Sequence, residues 1–192
     1  MIVATNNEGK LKEIKSILED FDLYSLREKN IDIDVDEDQD TFLGNAKKKA
    51  KTIYEVSHED VIADDSGLCI KCLNDFPGVT THRFLGDSAS DRDRNEYLIN
   101  KVNEYCDRTA CVICNIVYYN GNSYVVGEGV IEGKIATECR GDNGFGFDEI
   151  FELSNGLTLA QLPPFEKNKI SARALALNDL KIKLKEKKYA IK

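Results

Sequence analysis

"IVATNNEGKLKEIKSIL", residues 2–18, reads as a strand, a polar turn and a helix in immediate succession. Ile2, Val3 and Ala4 form a short buried strand, and the run Thr5-Asn6-Asn7-Glu8-Gly9-Lys10 breaks it. Leu11, Ile14 and Leu18 then recur at helical spacing on one face, with Lys12, Glu13 and Lys15 on the other. A strand that feeds straight into a helix is the building unit of α/β folds. The turn sits at a helix N-terminus, where unsatisfied N–H groups and the positive end of the dipole attract anions, and Lys10 adds a mobile positive charge. A phosphate fits such a turn. The Walker spacing is absent, however, and an ordinary capped turn is the simpler reading of this stretch by itself.

The rest of the chain continues the mixture. "FDLYSL" (21–26) reads as a second strand, followed by the acidic connection "NIDIDVDEDQD" (30–40). "TFLGNAKKKAKTIYEVS" (41–57) is helical, with Phe42, Ala46, Ala50, Ile53 and Val56 near one face and Lys47, Lys48, Lys49 and Lys51 on the polar face. "VIADDSGLCI" (61–70) is a buried strand carrying two carboxylates, and "SASDRDRNEYLINKVNEY" (88–105) a capped amphipathic helix. Two long strands, 109–119 and 123–136, flank Asn120-Gly121, a hairpin signal. The glycine- and aromatic-rich loop "GDNGFGFDEIF" (141–151) precedes one last helix running from near Pro164 through residue 184. The order is mixed rather than strictly alternating, which predicts an α/β fold with a mixed central sheet flanked by helices. No Pro/Gly/Ser-rich linker or repeat divides the 192 residues, so a single domain, 1–192, is expected.

A net charge of −8 argues against bulk nucleic-acid binding, so any phosphate site must be local. No signal pattern and no apolar run of spanning length is present, which predicts a soluble cytoplasmic protein without membrane partners. Two CxxC pairs, Cys69/Cys72 and Cys111/Cys114, suggest a four-thiolate zinc site on spacing alone. Both lie in apolar, β-prone stretches without a glycine turn, where residues three apart face opposite ways. They read instead as reduced core cysteines.

Three stretches carry chemistry. Asp64 and Asp65 interrupt an apolar strand, and burying a carboxylate without a partner costs roughly several kcal/mol, so a metal ion, a lysine or the sheet's edge must answer them, unless the pair simply closes the strand in an Asx-type turn. Adjacent strand residues face opposite ways, so both meet one ligand only if the chain bends at Ser66-Gly67. "GFGFDEIF" sets Phe145 and Phe147 beside Asp148, which suits a heterocycle or an aromatic plug under a loop. "EKNKISAR" places Lys167, Lys169 and Arg173 along the last helix, against the dipole's preference, where phosphate or keto oxygens would offset the cost, or water alone would solvate them.

"TNNEGK", "TFLGNAKKKA", "ADDSGL", "PGVTTHRFLG", "GFGFDEIF" and "EKNKISAR" together resemble, in order and separation, the inosine triphosphatase-like non-canonical purine NTP pyrophosphatases. That resemblance implies a homodimer of elongated, two-lobed subunits with a cleft, hydrolysing a purine nucleoside triphosphate to the monophosphate and pyrophosphate with Mg²⁺, or Mn²⁺ in its place. It assigns Thr5, Asn6 and Lys10 to the triphosphate, with Lys49 also facing the phosphates as part of the catalytic set. Glu37, Asp65 and Asp64 would form the metal set, Asp64 in a supporting role. Asp65 would also be the general base, and Ser66 would touch substrate. Phe145, Gly146, Phe147 and Asp148 would form the base pocket, completed by Lys167 and Arg173.

The chain departs from that pattern at Ala172, where the family usually carries a histidine that helps recognise the purine's keto edge. Another departure is His82, which stands in a position commonly alanine and reads as a surface or loop histidine. Phe147 replaces a usual tyrosine or tryptophan. Base preference for inosine or xanthosine nucleotides is therefore the open property. Three readings stay open: an active enzyme of deaminated purines, the same chemistry with shifted base specificity, and a non-catalytic nucleotide-binding protein.

Overall fold

The computed structural model describes residues 1–86 and 88–190, with the side chains of 187–190 left out of the description. Seven strands form one sheet: β1 (Ile2–Val3), β2 (Tyr24–Ser25), β3 (Val61–Ile70), β4 (Phe76–Pro77), β5 (Thr109–Tyr119), β6 (Tyr124–Ile135) and β7 (Phe151–Glu152). Their order is β2-β1-β3-β5-β6-β7, with β4 beside β3. β1 pairs in parallel with β2 and β3, whereas β3–β4 and β6–β7 are antiparallel, so the sheet is mixed as predicted. Among the described residues five α-helices accompany it: α1 (Glu8–Ile17), α2 (Phe42–Ser57), α3 (Asp91–Val102), α4 (Pro164–Ile170) and α5 (Ala172–Ala190). Among the described residues no helix is long and apolar enough to cross a membrane.

The chain divides into two compact units, one of residues 1–66, 114–129 and 171–192, the other of 67–113 and 130–170. β3, β5 and β6 each contribute residues to both.

In the first unit, Asn7 caps α1 by accepting the Lys10 N–H at 3.0 Å, which starts the helix where the polar turn ends. Thr41 does the same for α2 through the Gly44 N–H at 3.0 Å, and His58, with φ +53°, ends it. Ala46, Ala50 and Ile53 of α2 bury against Ile2, Ala4, Val61, Ala63 and Val117 of the sheet. All ten residues of β3 are buried, the mark of a strand covered on both faces. α1 packs on α5, and α5 lies directly on β6: a Cβ on Gly129 would come within 2.0 Å of the Ala172 carbonyl oxygen. Only glycine permits that approach.

In the second unit, Ser90 and Asp93 close a reciprocal cap on α3, which buries Leu98, Ile99 and Val102.

Two expectations change, and two short strands are additional. The second strand shrinks from 21–26 to Tyr24–Ser25. The single last helix is two, because the Ser171 hydroxyl accepts the Ala174 N–H at 3.1 Å and caps a new helix in mid-run. β4 and β7, of two residues each, carry too little alternation to be read from sequence.

Candidate active site

Asp64 and Asp65, each 2% exposed, lie in β3, which continues unbroken through Ser66-Gly67. Without a bend the two carboxylates go to different neighbours. Asp64 Oδ2 meets Lys10 Nζ at 3.2 Å, and Arg173 Nε and Nη2 at 3.2 and 3.1 Å. Arg173 also donates to Ser66 Oγ at 3.0 Å and to the Glu13 carboxylate. Burial pushes the Asp64 carboxyl up, but Lys10, Arg173 and Lys49 outweigh it and hold it well below the usual range.

Asp65 turns to α2. Its Oδ2 accepts from Asn45 Nδ2 at 2.8 Å and its Oδ1 from the Ser66 N–H at 2.9 Å, while Lys49 Nζ stands 4.0 Å away. Burial pushes its pKa up to about 6, with Lys49 opposing and Glu37 adding to the rise. Lys49 bonds Glu37 Oε1 at 2.8 Å. Burial alone would lower the Lys49 pKa, but Asp64, Asp65 and Glu37 raise it, so its ammonium is retained.

Lys49 therefore stands between two carboxylates, Glu37 and Asp65, that the family resemblance assigns to a metal. Among the described residues no three His, Cys, Asp or Glu side chains form a closed metal cage. The donor set nevertheless suits a hard cation. Two carboxylates, Glu37 paired with Lys49 at 2.8 Å and the buried Asp65 with the same lysine 4.0 Å away, match the one or two that Mg²⁺ takes alongside retained waters.

The remaining phosphate-turn residues differ in exposure. Thr5 is half-buried and its Oγ1 accepts the Asn7 N–H at 3.2 Å; Asn6 is exposed. Lys10, expected as a mobile charge, is 5% exposed and tied to Asp64. Glu13, expected on the solvated face of α1, is 9% exposed, because Arg173 reaches it from α5. Glu13 and Asn45 were missed by the sequence reading. The signal for Glu13 is its position three residues after Lys10, on the same side of the helix.

A second group lies in the other unit. Lys167 Nζ meets Asp148 Oδ2 at 2.5 Å and lies 4.6 Å from the centre of the Phe145 ring. Both members of the pair are buried, Asp148 at 4% and Lys167 at 5% exposure. Asp148 also accepts the Phe145 N–H at 2.9 Å. Gly144 has φ +82°, and a Cβ there would fall 2.1 Å from Asp148 Oδ2, so the tight turn around the carboxylate needs glycine. His82 is half-buried rather than a surface residue, and it shares the lining of a small cavity with Asn95, Gly146 and Phe147. Ala172 is buried at the start of α5.

Among the described residues the two CxxC pairs meet only through Cys69 and Cys111, and no three cysteines gather as metal ligands. Cys69 hydrogen-bonds Cys111, and burial pushes the Cys69 thiol up to about 12. Such a thiol is an apolar filler at neutral pH.

The family model of the Ham1 family matches residues 1–183. The chain belongs to the Ham1 family. The dITP/XTP pyrophosphatase of Clostridium tetani is 40% identical over 192 residues, covering 96% of each chain. That of Aquifex aeolicus is 38% identical over 190 residues, covering 94% of each. Among solved structures, the Staphylococcus aureus Ham1 protein superposes with a TM-score of 0.88 at 36% identity, covering 97% of this chain and 98% of that one. Ham1 membership thus rests on both the sequence and the fold.

Proposed function

We propose that this Ham1 protein hydrolyses purine nucleoside triphosphates carrying deaminated bases, such as inosine, deoxyinosine or xanthosine triphosphate, to the monophosphate and pyrophosphate. The observation that carries the reading is the divergence of two adjacent buried carboxylates. Asp64 is neutralised by Lys10 and Arg173, whereas Asp65 keeps a raised pKa of about 6 beside Asn45 and Lys49. A fixed anion that organises cations, next to a carboxylate basic enough to take a proton at neutral pH, is the equipment of assisted water attack. Relatives of the same family that bear the name dITP/XTP pyrophosphatase support the substrate class.

In this reading the first unit handles the phosphates. The α1 N-terminus with Thr5 and Asn6 offers backbone and side-chain donors, and Lys10 and Lys49 supply positive charge against the triphosphate. Asp65 orients the attacking water and accepts its proton as the oxygen–phosphorus bond forms at the α-phosphate. The bond to the bridging oxygen breaks, and pyrophosphate leaves with its charge stabilised by the lysines. Glu37 and Asp65 would hold the divalent cation, with Asp64 keeping Lys10 and Arg173 in place behind Asp65. Mg²⁺, or Mn²⁺ in its place, supplies charge neutralisation and a more acidic water when bound. The second unit would take the base between Phe145 and Phe147, with Asp148 and Lys167 reading its edge. Ser66 and Arg173 complete the substrate contacts.

The fuller reading is a cytoplasmic, Mg²⁺-dependent homodimer whose chain, 1–192, works as one pyrophosphatase domain. A second reading, the same chemistry with shifted base preference, is favoured by the apolar Ala172 where a base-reading histidine is expected. Pyrophosphate release from inosine, xanthosine, adenosine, guanosine and pyrimidine triphosphates tests both, with Mg²⁺ and with EDTA. Preference for inosine and xanthosine nucleotides, lost in EDTA, is expected. A preference for adenosine or pyrimidine triphosphates selects the second reading, and binding without pyrophosphate release refutes catalysis.

A further inference from the structure

Gly146 is gripped on both sides of its backbone by one helix. Its N–H donates to Asp91 Oδ2 at 2.8 Å, and its carbonyl accepts from Asn95 Nδ2 at 2.9 Å. Asp91 and Asn95 are four residues apart in α3, so they stand one above the other on a single helix face. α3 itself is well anchored, with its capping box at Ser90 and Asp93 and with Leu98, Ile99 and Val102 buried. Asn95 is 2% exposed, and a polar side chain so deep in a helix is retained only if its hydrogen bonds are met.

The grip falls on the one residue between the two loop aromatics. Gly146 has φ +63°, a left-handed conformation, and its peptide groups set the directions in which Phe145 and Phe147 leave the chain. One residue earlier the loop is tied a third time, by the Phe145 N–H to Asp148 at 2.9 Å. Beside the loop lies a small cavity lined by His82, Arg94, Asn95, Gly146 and Phe147, so the loop is not packed tightly on this side and the two hydrogen bonds from α3 carry more of its fixing.

We propose that Asp91 and Asn95 are positioning residues for nucleobase recognition, through which α3 fixes the pose of the Phe145–Phe147 loop without touching nucleotide. The inference rests on the proposal above that this loop takes the base. It predicts a loss confined to base affinity, because the phosphate groups sit on residues of the other unit.

The test measures kcat and KM for inosine triphosphate, and the dissociation constants of inosine monophosphate and of inorganic pyrophosphate by calorimetry. Asn95→Ala and Asp91→Ala should each raise KM and the inosine monophosphate constant by about tenfold, the scale of one lost hydrogen bond to a fixed backbone. Both should keep kcat within about threefold and leave pyrophosphate binding unchanged. Asp91→Asn, which keeps an acceptor for the Gly146 N–H, should return to parental values. The Asp91 side chain is 52% exposed, so that pair of variants remains informative if Asn95→Ala fails to fold.

Phe147→Ala and Asp148→Asn separate the two levels of the argument. If these weaken inosine monophosphate binding while the Asp91→Ala variant does not, the positioning role is overturned and the base pocket stands. If neither changes it, the loop does not take the base and both fall. Equal losses of inosine monophosphate and pyrophosphate affinity, or a fall in kcat alone, also overturn the positioning role.

Discussion

Replacing Glu13 by alanine should be among the more damaging single substitutions in the first unit. Lys10, Arg173, Asp64 and Glu13 form a contiguous buried group in which two cations meet two carboxylates. The Glu13 and Arg173 side chains are 11% and 8% exposed, so water does little to replace a lost partner. Glu13→Ala leaves Lys10 and Arg173 sharing the Asp64 carboxylate. Removing one partner of a buried pair costs about 3–5 kcal/mol, and the remaining bonds from Arg173 to Asp64 and Ser66 place this case near the lower end. For a chain of this size about 3 kcal/mol corresponds to a fall in Tm of roughly 6–12 °C. Urea titrations at pH 7, followed by circular dichroism and tyrosine fluorescence, measure the loss. The double variant Glu13→Ala with Arg173→Met removes one charge of each sign, and it should be no less stable than Glu13→Ala alone. A loss below about 1 kcal/mol for Glu13→Ala, or a double variant showing the two single losses simply added, would refute the argument that charge imbalance sets the cost.

Asp65→Asn should keep nucleotide binding, measured by calorimetry, while turnover falls by more than about a hundredfold, since the amide neither accepts the proton nor carries the charge for a cation. Ala172→His should raise the kcat/KM ratio of inosine over adenosine triphosphate by about tenfold, the range one added hydrogen bond permits; an unchanged ratio in a folded, active variant refutes it. Hydrogen bonding from Lys134 holds the Glu152 pKa below its usual value, helped by the charges of Lys134 and Arg140. A depressed folded-state pKa stabilises above the unfolded value and is lost as pH falls through the folded one, so Glu152→Gln should flatten the acid limb of a stability–pH profile below about pH 4.3 and change little in the slope above it.

How much of this was legible follows from which signals are local. Ile2–Val3, α1, α2 and β3 announce themselves by periodicity and by capping residues next to them, and the structure keeps all four. The break at Ser171 was less visible, because Ala172, Ala174 and Ala176 are good helix formers and the serine cap competes with them only by its own side chain. Two-residue strands such as Phe76–Pro77 have no period to detect; their pairing comes from long-range contact with Cys69 and Ile70. At the site, the two aspartates in an apolar strand signalled that a cation or the sheet's edge must answer them, and a lysine does, but the sequence did not indicate that it is Lys10, read there as a mobile charge, or that Arg173 and Glu13 join it. Glu13 looked solvated because nothing in α1 reveals that an arginine 160 residues later comes to meet it. Asn45 looked like a polar residue on a lysine-rich helix, yet it is fully buried against Asp65.

The alternation of a strand explains why two neighbouring aspartates can do different work. Asp64 and Ser66, two residues apart, both meet Arg173, whereas Asp65 between them meets Asn45 and approaches Lys49. β3 continues through this stretch, so α1 and α5 supply the close partners of Asp64 and α2 those of Asp65, with the charge of Lys49 acting on both. The consequence is electrical. One side receives an arginine and a lysine, enough to fix its aspartate as an anion; the other receives an amide and a more distant lysine, and burial then lifts that aspartate to about 6. A one-residue slip in the register of β3 would turn these side chains to the opposite faces, carrying Asp64 away from Lys10 and Arg173 and Asp65 away from Asn45. The parallel pairing of Val61 and Ile62 with Ile2 and Val3 holds that register, so the short N-terminal strand that opens the chain also helps to set which aspartate meets Arg173 and which meets Asn45.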